Sequence, residues 1–122
     1  MYEGDWVNDK QHGQGVESWN FNLIRYSGDF VDGKKTGRGK FEFDGGFYEG
    51  DFVDGKFEGF GKYYFADTGK LYEGEFHDNN MEGKGVLLWP DNSRYEGDFK
   101  QGKMEGKGFK TYANGNKFIG TF

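Results

Sequence analysis

The sequence contains no cysteine and a single proline in 122 residues, and aliphatic side chains are scarce. Without cysteine there is neither a disulfide framework nor a thiolate metal site. No apolar run approaches the length of a membrane-spanning helix, and residues 1–6 lack the basic and apolar regions of a signal peptide. These absences favour a soluble protein of the cytoplasm.

Acidic residues outnumber basic residues. The net charge is -5, and acidic and basic residues are interspersed along the chain. No basic stripe is therefore available to neutralise phosphates, which excludes nucleic acid as a partner and argues against anionic membrane lipid as the primary ligand.

What the sequence does contain is aromatic residues, at 20% of the chain, and 23 glycines. A helical bundle or a doubly wound domain of this length would need more leucine, isoleucine, valine and alanine, and glycine at this level disfavours long helices. The composition indicates β structure packed through aromatic rings, in one compact domain or one short repeat array.

Internal repeats decide between these two. A Tyr-x-Gly-x-aromatic motif begins at regular intervals, and a Gly-x-Gly motif follows each of the first five tyrosines at a constant offset. The single array, residues 2–122, divides into the units 2–25, 26–47, 48–71, 72–94 and 95–117 and a half unit 118–122.

Each unit reads as a β-hairpin. The turn within the unit has residues that tolerate positive φ angles, namely Asn8-Asp9, Asp32-Gly33, Asp54-Gly55, Asp78-Asn79 and Gln101-Gly102. Further turn signals join the units at Asp44-Gly45-Gly46, Asp67-Thr68-Gly69, Asp91-Asn92 and Asn114-Gly115. We predict an all-β fold: an elongated, open antiparallel sheet of consecutive hairpins with about eleven strands.

A two-residue turn with regular pairing predicts that Tyr48 faces Gly61 and that Gly50 faces Gly59. Rings on one face would then lie on a glycine floor. The opposite face is predicted to be solvated, with cross-strand pairs between Glu73 and Lys84, Glu96 and Lys107, and Ser27 and Arg38.

Residues 48–61, with Tyr48-Glu-Gly-Asp-Phe52, then Gly55-Lys56, then Gly59-x-Gly61, resemble the MORN (membrane occupation and recognition nexus) repeat. The resemblance covers essentially residues 2–122. It implies a non-catalytic scaffold or adaptor that binds protein partners within a multi-subunit cytoskeletal or ciliary assembly, such as a radial spoke of the axoneme. It also implies helix binding on the aromatic face and end-to-end or homodimer contacts through terminal repeats.

Sites of function are expected where the repeats differ. The ninth residue after each tyrosine changes from Gln11 and Lys35 to apolar residues in the later units. A single-layer sheet would leave these exposed as a groove for a helix or an extended segment. The predicted partner-binding groove consists of Tyr48, Phe52, Phe57, Tyr63, Phe65, Tyr72, Phe76, Met81, Leu87, Trp89, Tyr95, Phe99 and Met104.

No catalytic residue, cofactor or metal ligand is predicted. His12 and His77 stand in different units, and Gly33-Lys34-Lys35-Thr36 lacks the upstream glycine of a phosphate-binding loop. Facing carboxylates at Asp51 and Glu58, Glu75 and Glu82, and Asp98 and Glu105 could form a ladder for calcium or a basic peptide, but a solvated face is the simpler interpretation.

Two other functions stay open. One is a module that associates with membrane phospholipid, and the other is the targeting region of a larger enzyme. Because the motif begins at Tyr2 and runs to Phe122, the open sheet edges are expected to be covered by further repeats, another subunit or a partner.

Overall fold

The computed structural model describes residues 1–19 and 24–122, so the end of the first predicted unit falls partly outside the described residues. The described residues form strands and turns and no helix, and none of them is in a helix that could span a membrane. The strands are β1 (Tyr2–Val7), β2 (Lys10–Trp19), β3 (Ile24–Val31), β4 (Lys34–Phe43), β5 (Gly46–Val53), β6 (Lys56–Phe65), β7 (Lys70–His77), β8 (Asn80–Leu88), β9 (Arg94–Lys100), β10 (Lys103–Thr111) and β11 (Lys117–Thr121).

All of these strands belong to one antiparallel sheet of 11 strands, in which each strand pairs with its neighbour in sequence. The predicted fold class is therefore confirmed. Such a sheet has only local connections, as expected for a repeat array in which each unit contacts the next.

The predicted turns are present, and their backbone explains the residue choice. Asp54 and Gly55 have φ angles of 50° and 79°, and each of the other four hairpin turns also has two consecutive positive φ angles. Two consecutive positive φ angles define the type I′ turn, whose twist matches that of a hairpin. Asp44 and Gly45, between β4 and β5, form a turn of the same type, with φ angles of 47° and 83°.

The predicted pairing inside the hairpins is wrong by two residues. Tyr48 pairs with Tyr63, and Gly50 pairs with Gly61, because a β-bulge places residues 58–60 of β6 opposite Asp51 alone. The φ angle of Gly59, +73°, makes this bulge possible. Because the extra residues number two, each side chain keeps its predicted face.

The predicted cross-strand pairs within hairpins are wrong for the same reason. Glu73 lies opposite Val86, Glu96 opposite Phe109, and Ser27 opposite Lys40. Oppositely charged residues do lie opposite each other elsewhere, within a hairpin at Glu49 and Lys62 and between hairpins. The ion pairs there are Arg38–Asp51 at 2.9 Å, Lys62–Glu73 at 3.7 Å, and Lys84–Asp98.

The corrected register aligns one glycine from every strand in a single row across the whole sheet: Gly4, Gly15, Gly28, Gly39, Gly50, Gly61, Gly74, Gly85, Gly97, Gly108 and Gly120. We call the side that carries the repeat tyrosines the aromatic face. We call the other side, which carries the residue after each tyrosine, such as Glu49 and Glu73, the charged face.

The core lies on the aromatic face of this single layer. Its buried hydrophobic residues are Tyr26, Phe30, Tyr48, Phe52, Tyr72, Phe76, Leu87, Tyr95 and Phe99.

Candidate protein-binding surface

The repeat aromatics form a continuous ladder on the aromatic face. Each repeat tyrosine makes an edge-to-face contact with the aromatic residue four positions later and another with the equivalent residue of the next unit. Tyr48, for example, contacts Phe52 at 5.0 Å and Phe76 at 4.9 Å between ring centroids. The ladder runs through Trp6, Tyr2, Phe30, Tyr26, Phe52, Tyr48, Phe76, Tyr72, Phe99, Tyr95, Phe122 and Phe118.

The glycine row is the floor under these rings, as the sequence predicted. A Cβ atom on Gly61 would lie 2.6 Å from Cε2 of Tyr48, and one on Gly85 would lie 2.4 Å from Cε2 of Tyr72. Both distances are far inside van der Waals contact, so only glycine lets the ring lie on the strand. The glycine-rich composition is thereby explained by packing.

The tyrosine hydroxyl explains why phenylalanine does not replace tyrosine in the complete units. Tyr48 Oη donates a hydrogen bond to the carbonyl oxygen of Asp51 at 2.6 Å, and the other four repeat tyrosines make the same bond at 2.7–2.8 Å. Burial, followed by the nearby Asp51 carboxylate, raises the pKa of Tyr48 well above its usual value. The hydroxyl therefore stays protonated and keeps donating.

The acidic residue of the motif caps the bulge. The Asp51 carboxylate accepts a hydrogen bond from the backbone N–H of Phe60, and Glu75 accepts one from Lys84 in the equivalent bulge. The signature residues are thus accounted for by ring packing, close approach and bulge capping. This leaves the positions that differ between units as the candidates for binding.

All thirteen residues of the predicted groove belong to one hydrophobic cluster. Within it, burial divides them into two groups. Seven are at most 7% exposed and form part of the core: Tyr48, Phe52, Tyr72, Phe76, Leu87, Tyr95 and Phe99. Six are half-buried and line the surface, and we call them the apolar strip: Phe57, Tyr63, Phe65, Met81, Trp89 and Met104.

The apolar strip is built on the ladder. Phe57 stacks on Tyr48, with ring centroids 3.9 Å apart and planes 11° from parallel. Tyr63 packs against Phe57 at 6.0 Å and against Phe65 at 4.6 Å. Met81 and Met104 pair with buried ladder residues on the neighbouring strands. Rigid buried rings therefore support a partly exposed apolar surface.

In the first two units, Gln11 and Lys35 take the position that Phe57, Met81 and Met104 hold in the later units, and they form a polar cluster with Glu17. Lys35 Nζ lies 3.0 Å from a carboxylate oxygen of Glu17, and Gln11 donates to the same carboxylate at 2.8 Å. The Lys35 ammonium also lies 5.1 Å from the ring centroid of Trp19. Towards the C-terminal end, Lys110 Nζ lies 4.5 Å from the Trp89 ring centroid. Lysine ammonium groups thus lie beside aromatic rings towards both ends of the aromatic face.

The charged face is not the fully solvated surface that the sequence indicated. Phe47, Tyr64, Leu71 and Leu88 lie side by side on four adjacent strands, and all are half-buried. The signal was available in the sequence, since Phe47 and Leu71 directly precede repeat tyrosines. The same face also has a concave surface of about 1000 Å³, whose lining includes exposed Phe60.

The carboxylates proposed as a ladder bind different backbone groups: Asp51 accepts from the N–H of Phe60 in the bulge, whereas Glu58 binds the next hairpin. Glu58 accepts a hydrogen bond from the backbone N–H of Asp78 at 2.5 Å and contacts His77 at 2.9 Å. The hydrogen bond from Asp78, followed by the one from His77, lowers the pKa of Glu58. Glu82 similarly accepts from the N–H of Gln101 at 3.3 Å. These carboxylates cap the turn of the next hairpin.

The two histidines have comparable structural contacts. His12 Nδ1 accepts a hydrogen bond from the N–H of Asp32 at 3.5 Å, whereas His77 contacts Glu58. His12 lies on β2 and His77 ends β7, so the fold does not bring them together. Each histidine contacts a residue of an adjacent hairpin.

A scan against protein-family models finds the MORN repeat five times, at residues 2–20, 26–46, 48–70, 72–94 and 95–117. A search of curated proteins finds no match to the chain. The family matches cover most of the sequence, and their repeat is the hairpin described above. The chain therefore belongs to the MORN repeat family.

Proposed function

We propose that this protein is a non-catalytic scaffold or adaptor module that binds a segment of another protein on its aromatic face. The observation that carries the proposal is the apolar strip, where six half-buried apolar side chains stand on one side of a single-layer sheet. The described residues place no second layer over them. Contiguous exposed apolar surface of this kind usually marks an interaction site.

The partner that fits best is an amphipathic helix or an extended segment with apolar side chains at regular spacing. Met81 and Met104 are adaptable in shape, and Tyr63 and Trp89 combine apolar area with a polar atom, as is common at interfaces. The rigid ladder below means that little backbone ordering is needed on this side when the partner binds. Affinity would come from burying the apolar strip.

Mutation of the apolar strip tests this proposal. The chain is immobilised, proteins captured from a lysate of the source cells are identified by mass spectrometry, and the captured set is compared among variants. Met81→Asp and Phe57→Asp are expected to lose the partner, since each buries a charge in the interface. Val53→Asp is the matched control, because Val53 is 50% exposed and points to the charged face.

Circular dichroism establishes that each variant retains the β-sheet of the unmodified chain. If folded Met81→Asp captures the same partner as Val53→Asp, the aromatic face is not the binding surface. Vesicles of anionic phospholipid serve as a second bait: flotation with vesicles that is lost in Met81→Asp would assign the apolar strip to lipid instead of protein.

We further propose that the assembly is cytoskeletal and specifically ciliary, as in a radial spoke of the axoneme. This setting is supported by the resemblance of the repeats alone. Fluorescent tagging in ciliated cells tests it: the fusion is expected along the axoneme and is expected to stay there after detergent extraction. A signal that washes out with the soluble cytoplasm would contradict the proposed setting.

A further inference from the structure

The charged face has a regular arrangement of charges. In the row that follows the repeat tyrosines, β4 and β6 carry Lys40 and Lys62, whereas β5, β7 and β9 carry Glu49, Glu73 and Glu96. The sign therefore alternates from β4 to β7, and β8 carries the uncharged Val86 between Glu73 and Glu96. A surface with this alternation matches a reversed copy of itself, because reversing the strand order places even strands opposite odd ones.

A row of apolar residues crosses the four middle strands of this face. It consists of Phe47 and Tyr64 on β5 and β6, then Leu71 and Leu88 on β7 and β8. Phe47 and Tyr64 stack with centroids 5.9 Å apart. Charged residues flank the row on the next strand at each end. The row in order is Glu42, Phe47, Tyr64, Leu71, Leu88 and Arg94.

We propose that two copies of this chain associate through their charged faces, about a two-fold axis that runs parallel to the strands between β6 and β7. Such an axis reverses the strand order and keeps each row opposite itself. In the apolar row, Tyr64 of one copy then meets Leu71 of the other, and Phe47 meets Leu88. The charges that end the row meet as Glu42 and Arg94.

The same operation pairs opposite charges in two further rows. One is the row that follows the repeat tyrosines, and the other contains Arg38, Asp51, Phe60, Glu75, Lys84 and Asp98. No facing pair in the three rows from β4 to β9 has like charges. The opposite-charge pairs between the copies are Lys40 with Glu96, Lys62 with Glu73, Arg38 with Asp98, and Asp51 with Lys84.

Other positions of the axis fit less well. An axis on β6 would place Glu49 against Glu73, two like charges. An axis between β5 and β6 keeps the charges complementary but places Glu42 against the apolar Leu71. The axis between β6 and β7 keeps the whole apolar row against itself and places no like charges together, with Glu49 against Val86 and Glu75 against Phe60 in the other rows.

The twist that β-sheets ordinarily have is compatible with this arrangement. A regularly twisted sheet has the same surface after rotation about a strand axis, so two copies stack as in aligned β-sandwiches, about 10 Å apart. Three rows on the eight strands from β3 to β10 make 24 positions in each copy. This is within the roughly 20–30 residues a side of a standard interface.

Because many of the charges already have partners within one copy, they gain little from a second partner while losing water. We therefore expect a weak dimer with a dissociation constant in the micromolar range. Sedimentation equilibrium of the complete protein over a range from about 1 to 500 µM measures it. Self-association that weakens as the apolar row is truncated, in Leu71→Ala, is the expected result.

Charge complementation tests the axis itself. In a dimer of Lys62→Glu, or of Glu73→Lys, like charges face each other at two places. The dissociation constant of each variant alone is therefore expected to rise more than about tenfold. An equimolar mixture of the two is expected to restore association. The matched control is a mixture of Lys40→Glu with Glu73→Lys, which has the same net charges but does not restore facing pairs.

Three results would overturn the proposal. One is an unmodified protein that stays monomeric up to 500 µM, a concentration well above micromolar dissociation constants (about 1–100 µM). The second is equal association in both mixtures, which would show attraction without the proposed register. The third is association of folded Lys62→Glu, tested alone, that is as strong as that of the unmodified protein. This result would assign the contact to another surface, such as the sheet edges.

Discussion

Replacing Gly50 by alanine should destabilise the sheet more than any surface change. Its Cβ atom would lie 2.4 Å from the carbonyl oxygen of Phe60 and 2.5 Å from Cα of Gly61. An ordinary C···O contact is about 3.3 Å or longer, so the two strands must separate by nearly 1 Å at their closest point. Both colliding atoms are backbone atoms, and no side-chain rotation relieves the contact.

We expect a loss of about 2–3 kcal/mol in the free energy of unfolding. Overpacking of a well-ordered site costs about 1–3 kcal/mol or more, and the lower chain entropy of alanine in the unfolded state offsets up to about 1 kcal/mol. Since two backbones must move, the upper part of the range applies. Urea denaturation followed by tryptophan fluorescence and circular dichroism measures this difference.

Gly55→Asn is the matched control. A Cβ atom on Gly55 has no neighbour within 4 Å, and Asn79 occupies the equivalent turn position with a φ angle of 70°. Its unfolding free energy should stay within about 0.5 kcal/mol of the unmodified protein. If Gly50→Ala is as stable as Gly55→Asn, the close approach along the glycine row is not a requirement of this sheet.

Three further perturbations test other parts of the structure. Tyr48→Phe keeps the ring but leaves the carbonyl of Asp51 without its donor, and should cost about 1–2 kcal/mol in the same urea assay. Lys35→Met removes the ammonium between Glu17 and Trp19 and extends the apolar strip, so binding of a hydrophobic dye such as ANS should increase; unchanged dye fluorescence would show that Lys35 does not limit the exposed surface. Raising the pH should destabilise the sheet. The buried repeat tyrosines have pKa values raised above the ordinary value, so their contribution is fully present below about pH 10 and falls as the pH rises towards their folded pKa values. Melting temperatures that stay constant from about pH 9 to 11.5 would contradict the buried hydroxyl network.

The sequence was sufficient to predict the strands because their boundaries depend on local chemistry. Residues such as Asp54 and Gly55 adopt the positive φ angles of a hairpin turn, and nothing distant competes with them. The face of each ring also follows from alternation along the strand. For that reason all thirteen residues of the predicted groove lie in one hydrophobic cluster, although their burial could not be read from their order.

Regular pairing from a two-residue turn does not predict the bulge. Two residues in the sequence indicate the bulge: the acidic residue of the motif, here Asp51, and Gly59. In the structure, Asp51 accepts a hydrogen bond from the N–H of Phe60, and Gly59 has a positive φ angle. The separation into core and apolar strip depends on contacts between units, such as the packing of Phe76 against Tyr48. Such contacts are set by twist and register, which single residues do not encode.

The proposed role of the aromatic face is tested most directly by oxidative footprinting of the protein bound to its partner. The chain has 3 methionines: Met81 and Met104 belong to the apolar strip, and Met1 is 79% exposed at the chain start. Partner binding should slow oxidation of Met81 and Met104 by more than about fivefold, because methionine oxidation follows solvent exposure, and leave Met1 unchanged. Equal oxidation of Met81 and Met104 in the free and bound protein would contradict binding at the apolar strip.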